Sequence, residues 1–91
     1  MQTYSPSAAV AALSNRERQV LVLVAEDLTD REIGRQLGIT ERTVRAHVSR
    51  IICKLGVASR VGAAVIATRS QMLEDFLESL DSQRRTRVQL G

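Results

Sequence analysis

Cysteine, lysine, proline and aromatic residues are all scarce in this 91-residue chain, and each scarcity excludes something. Cys53 is the only cysteine, so no internal disulfide can form and a reducing cytosol is the natural setting. One histidine, His47, and one cysteine are too few ligands to build a zinc site alone. Tyr4 and Phe76 are the only aromatic residues, which argues against single-strand binding by base stacking. No apolar run approaches membrane-spanning length, and no basic start followed by an apolar middle marks a signal peptide. Nor is there a glycine-rich phosphate loop after a strand, a carboxylate pair facing a cleft, or a nucleophile–base pair. The chain therefore reads as a cytoplasmic protein that is not an enzyme, binds no membrane and needs no cofactor.

What remains is aliphatic and basic. Hydrophobic residues make up 44 % of the chain, nearly all Val, Leu, Ile and Ala, which suits an all-α core better than a sandwich or barrel. A single domain of this length buries roughly 60 to 65 % of its unfolded surface and is only marginally stable alone. Lys54 is the sole lysine among 13 basic residues at a net charge of +3, and arginine is the preferred bidentate partner of phosphate and guanine. The charge is also segregated. Glu41 to Gly56 carries Arg42, Arg45, Arg50 and Lys54 against one acid, whereas Gln71 to Gln83 carries Glu74, Asp75, Glu78 and Asp81 without a base. That division suggests one face for DNA and another for something else.

Punctuation along the chain places the helices. Residues 1–12 are small, uncharged and interrupted by Pro6, so they read as a flexible lead-in with at most a nascent turn over Ala8–Ala12. Ser14 with Glu17 forms a capping box opening a first helix, whose apolar side is Val20, Leu21, Leu23, Val24 and Leu28. Thr29 with Glu32 repeats the box and opens a second helix to about Leu37. Asp27, between them, is suited to a left-handed turn. Gly38 closes the second helix, Thr40 caps a third running to about Leu55, and Gly56 stops it.

That third helix has two opposed faces. Val44, Val48, Ile51, Ile52 and Leu55 fall at i, i+4, i+7, i+8 and i+11, one apolar stripe. Arg42, Arg45, Ala46, Ser49 and Cys53 lie opposite, basic at the N-terminal end and small in the middle. Long donors flanked by small residues are what a groove-reading helix requires. A helix, a glycine-containing turn and a polar second helix make a helix-turn-helix unit. Arg42, in the first turn, suits a phosphate as well as a base. His47 borders the apolar stripe and reads as a packed structural histidine. Lys54 fits either a phosphate contact or a pair with an acid of the chain, and Cys53 has no partner thiol to make a redox sensor.

Ser59 caps a fourth helix from Arg60 to about Thr68, with Val61, Ala64, Val65 and Thr68 as a stripe. Its small residues permit close backbone approach and suit packing against a second copy. Met72, Leu73, Phe76, Leu77 and Leu80 continue an apolar stripe on an acidic segment over 70–82, and 83–91 reads as a basic flexible tail. The sequence leaves open whether the fourth helix and this acidic helix are one rod or two pieces.

Leu13-Ser14, Arg16-Glu17, Val20-Leu21, Glu32-Ile33, Leu37-Gly38-Ile39, Thr43-Val44-Arg45, His47-Val48, Ile51, Lys54-Leu55, Val57 and Arg60 together resemble the LuxR-type helix-turn-helix domain, over about residues 13–69. That domain is the DNA-binding end of many bacterial response regulators and quorum sensors, and also occurs in short stand-alone regulators. The resemblance implies a four-helix domain, here with an extra C-terminal helix or extension, that binds double-stranded DNA as a homodimer and regulates transcription. Carried onto this chain, Arg45, Ala46 and Ser49 would read bases with Arg42 close by. Thr40, Thr43, Arg50 and Lys54 would lie near phosphates, and Val61, Ala64, Val65 and Thr68 would form the dimer interface. The chain departs from the family at three points: Asp27 stands for the usual glycine, Asp30 for asparagine and Gly34 for alanine. Asp30 would repel phosphate if it pointed outward, and Gly34 is expected to loosen its helix slightly.

Two other readings compete. One is a sigma-factor-like promoter-reading region. The other is an interaction module whose Met72, Phe76 and Leu80 bind RNA polymerase or another regulator. The absence of a sensory domain fits either a stand-alone regulator, slightly favoured by the initial methionine, or the C-terminal piece of a longer one.

Overall fold

Every helix of the domain starts where a side-chain oxygen stands ready for an orphan backbone N–H. The computed structural model describes residues 5–90, with side chains for 5–72, 74, 75, 78 and 79. Its elements are α1 (Pro6–Ala11), α2 (Asn15–Ala25), α3 (Asp30–Leu37), α4 (Glu41–Leu55) and α5 (Arg60–Leu90), and no strand occurs among the described residues. The all-α expectation holds.

Both capping boxes form. Ser14 Oγ accepts from the Glu17 N–H at 3.1 Å while Glu17 accepts the Ser14 N–H at 2.8 Å. Thr29 and Glu32 repeat this at 3.1 and 2.9 Å. Thr40 Oγ1 accepts the Thr43 N–H at 3.1 Å, and Ser59 Oγ accepts from Gly62 at 3.4 Å. The helix ends are as legible. Asp27 takes φ 65°, the only positive-φ residue other than glycine among those described. Gly38 and Gly56 close α3 and α4 at φ 70° and 67°. Beyond Gly56 the Val57 N–H returns to the Ile52 carbonyl at 3.2 Å, which ties off α4 before the chain turns into α5.

The core forms where the apolar stripes meet. Val20, Leu21 and Val24 of α2, Ile33 of α3, Val44, Val48, Ile51 and Leu55 of α4, and Ala63 and Ile66 of α5 are all buried. Each large aliphatic residue so buried contributes about 1.5–3 kcal/mol, the main source of stability in a domain this small. Ile52, at the edge of the α4 stripe, is half-buried. The axis turns by 65° between α4 and the first part of α5, which lets α5 lie across both α2 and α4.

Two expectations need correction. Residues 6–11, expected within a flexible lead-in, form α1, which packs chiefly on α5 and inserts Ala9 and Val10 against the core. The reason is local: Ser5 caps the helix and Pro6 occupies its first position, where its fixed φ helps and its missing N–H costs nothing. From Arg60 onward the sequence leaves open one rod or two pieces ahead of a tail expected to be flexible; the chain there is one 31-residue helix that continues through the tail to Leu90. Neither glycine nor proline follows Gly62 before Leu90, so no residue interrupts it. Phe76 and Leu80, expected in a partner-binding stripe, have side chains outside the described residues.

Candidate nucleic-acid interface

Packing fixes which side of α4 remains available. With Val44, Val48, Ile51 and Leu55 buried, the opposite side carries Arg42, Thr43, Arg45, Ala46, Ser49, Arg50 and Cys53, all exposed. Thr40, at the cap, is exposed too, and its hydroxyl both accepts the Thr43 N–H and donates to Thr43 Oγ1 at 2.9 Å. Arg45 lies 3.6 Å from Glu41 one turn earlier, with both side chains at least half exposed. Such an exposed i,i+4 pair is worth only a few tenths of a kcal/mol, so Arg45 can leave it at little cost. His47 is half-buried, and its Nδ1 is enclosed without a hydrogen-bond partner, as a packed rather than a catalytic histidine would be.

The near end of α4 is set by a close approach. A Cβ on Gly34 would stand 2.6 Å from the Ile39 carbonyl oxygen and within 3.6 Å of the first backbone atoms of α4. The glycine therefore serves packing: it lets α3 abut the turn, where the sequence suggests only a loosened helix.

The far end is set by charge. Lys54 Nζ donates to Glu17 Oε1 at 2.8 Å, and the Glu17 side chain is only 5 % exposed. Lys54, with the Ser14 N–H, holds the Glu17 carboxyl down at about 2 despite its burial. Of the two roles open to Lys54, the pair with an acid of the chain is thus the one observed. Nothing in the sequence connects positions 17 and 54 directly, since helical spacing carries no information across such a separation.

Asp30 is likewise turned inward. It accepts from the Arg60 guanidinium, which also donates to the Leu28 carbonyl oxygen at 2.7 Å. The carboxylate that departs from the family pattern is thereby neutralised from the start of α5. This Arg60 bridge between helix-turn-helix and α5 escaped the sequence reading, although an arginine beside a run of Val, Gly and Ala is its one visible sign.

On α5, Val61, Val65 and Met72 are 72, 42 and 64 % exposed, large apolar groups at i, i+4 and i+11. Thr68 is exposed between them and Ala64 half-buried. The expected dimer stripe therefore faces outward. Beside it an open groove of about 380 Å³ runs between α2 and α5, lined by Val22, Ala25, Ala67, Thr68 and Met72 among others. Among the described residues no three His, Cys, Asp or Glu side chains come together as a metal site, and no single helix is long and apolar enough to cross a membrane.

A short helix, a glycine-closed turn and a second helix with its polar side bare define a helix-turn-helix domain of the DNA-binding type. The chain belongs to the bacterial regulatory proteins of the luxR family, which it matches over residues 11–67. It is 44 % identical over 62 residues to the transcriptional regulatory protein LiaR of Bacillus subtilis, covering 68 % of this chain and 29 % of LiaR. It is 45 % identical over 62 residues to the spore germination protein GerE of the same organism, covering 68 % of this chain and 84 % of GerE. Against the nitrate/nitrite response regulator protein NarL of Escherichia coli the identity is 46 % over 56 residues, covering 62 % of this chain and 26 % of NarL. The chain thus spans less than a third of LiaR and NarL.

Proposed function

We propose that this chain is a sequence-specific, double-stranded-DNA-binding transcriptional regulator that lays α4 in the major groove. The observation that carries the reading is the division of α4. Four buried aliphatic residues hold one side, and exposed Arg42, Arg45, Ala46 and Ser49 line the other. Arg45 reads a guanine edge, Ala46 and Ser49 let the helix approach, and Arg42 reaches a base or a phosphate. Thr40, Thr43 and Arg50 contact the flanking phosphates, while Lys54 stays with Glu17. The outward stripe of Val61, Ala64, Val65 and Thr68 pairs with that of a second copy, which sets two recognition helices on two half-sites. The protein works in the cytoplasm and without a cofactor.

Selection of bound duplexes from a random pool tests this. A two-part motif with half-sites about one helical turn apart is expected. Arg45→Ala should weaken binding to the selected duplex by about 10- to 100-fold, the worth of one bidentate base contact; unchanged binding removes α4 as the reader. Val65→Asp should leave monomers in sedimentation, whereas an unchanged profile moves the interface away from this stripe.

A further inference from the structure

Building on the duplex-DNA reading and its paired α5 stripes, we propose that the Arg60–Asp30 bridge is a positioning clamp. It fixes the angle between the reading unit, α3 with α4, and the pairing helix α5, and thereby the half-site spacing that two copies accept. Asp30 is the first residue of α3 and Arg60 the first of α5, and Val61, where the pairing stripe begins, follows directly. The guanidinium meets two acceptors at once, the Asp30 carboxylate and the Leu28 carbonyl oxygen. A planar fork held at two points fixes direction as well as distance.

The clamp stands where the fold is otherwise free to pivot. α3 packs on α4 and α2 but shares no extended seam with α5. Among the described residues, the polar bonds that join the start of α3 to α5 are those of Arg60. α4 meets α5 through the common aliphatic core, and such packing is non-directional. In the turn between them, a Cβ on Gly62 would stand 3.0 Å from the Val57 Cβ. That close approach sets how near α5 comes to the turn, and leaves the 65° angle between α4 and α5 to Arg60. The angle matters because α4 is a lever of about 22 Å, with Arg42 and Arg45 toward the end remote from the turn. A pivot of about 10° moves that end by about 4 Å, close to the rise of one base pair.

The test uses three duplexes: the two selected half-sites at their selected spacing, the same with one base pair inserted, and a single half-site. The insertion rotates one half-site by about 35° and moves it about 3.4 Å, so wild type must break or strain the bridge to follow. A partly exposed charge-assisted bond opens at about a fivefold cost. Arg60→Ala should therefore shrink the ratio of selected-spacing to inserted-spacing affinity about fivefold, and leave single half-site binding unchanged. Asp30→Ala removes the clamp from its other side and decides the matter should Arg60→Ala not fold. It should shrink the ratio equally, and the double variant should add nothing further. An unchanged ratio overturns the clamp, as does a loss shared alike by all three duplexes, the mark of a merely structural bond. Wild type indifferent to the insertion also overturns it, whereas wild type that selects no duplex motif would overturn the DNA reading itself.

Discussion

The two capping boxes are nearly superimposable in their bonds and opposite in their surroundings. In each, a Ser or Thr hydroxyl and a Glu carboxylate exchange hydrogen bonds with backbone N–H groups at 2.8 to 3.1 Å. Yet Glu17 is buried and receives Lys54 from the end of α4, whereas Glu32 is exposed and receives no partner from another helix. The same four-residue pattern therefore starts a helix in one place, and in the other also pins the end of α4 to the core. Local spacing decides that a helix begins; only the packing decides what else the cap holds.

Removing the buried carboxylate should separate the two boxes most. Glu17→Ala leaves the Ser14 N–H and Lys54 without their acceptor, and should cost about 2–3 kcal/mol, read as a fall in Tm of roughly 10–20 °C. Lys54→Ala should cost somewhat less, because that ammonium is 47 % exposed and partly screened. In a double-mutant cycle the two losses should sum to more than the double variant shows; simple additivity would mean that the pair contributes nothing.

Acid should affect the same pair. Glu17 has its carboxyl depressed to about 2 from an ordinary 4.5, so its contribution is complete above about 4.5 and is lost as pH falls through about 2. Chemical denaturation over that window should show wild type and Glu17→Gln converging as the pH drops; a constant gap would detach the effect from this carboxylate. Smallest of all, Glu32→Ala should lower Tm by a small fraction of the Glu17→Ala effect. Parity between the two would mean that burial adds nothing to a capping box.

Much of the fold was legible because its signals are local. Ser14, Thr29, Thr40 and Ser59 mark starts, Asp27, Gly38 and Gly56 mark stops, and the α4 stripe is nearly as read. The exposed face of Arg42, Arg45, Ala46 and Ser49 follows from that stripe by elimination. What escaped depends on distant parts of the chain or on weak local signals. Ser5-Pro6 ahead of an alanine-rich run is a helix start, but so short a helix persists only because Ala9 and Val10 find the core. Gly34 looks like a propensity loss until the turn is seen pressing on it. The particular partners of Lys54 and Arg60 stay hidden in the sequence because Glu17 and Asp30 lie in helices whose positions only the packing sets.

The two left-handed glycines that bracket α4 also constrain how such a protein can diverge. Residues other than Asn or Asp at Gly38 or Gly56 would carry about 1–2 kcal/mol of backbone penalty, so neither end of the helix shifts easily. Its 15 residues fix a ruler of about 22 Å. On the duplex-DNA reading proposed above, a lineage built on this ruler would change which letters it reads by swapping the side chains at positions 42, 45, 46 and 49. It would not readily change the length of the word, so a longer operator would come from adding copies rather than from a longer helix.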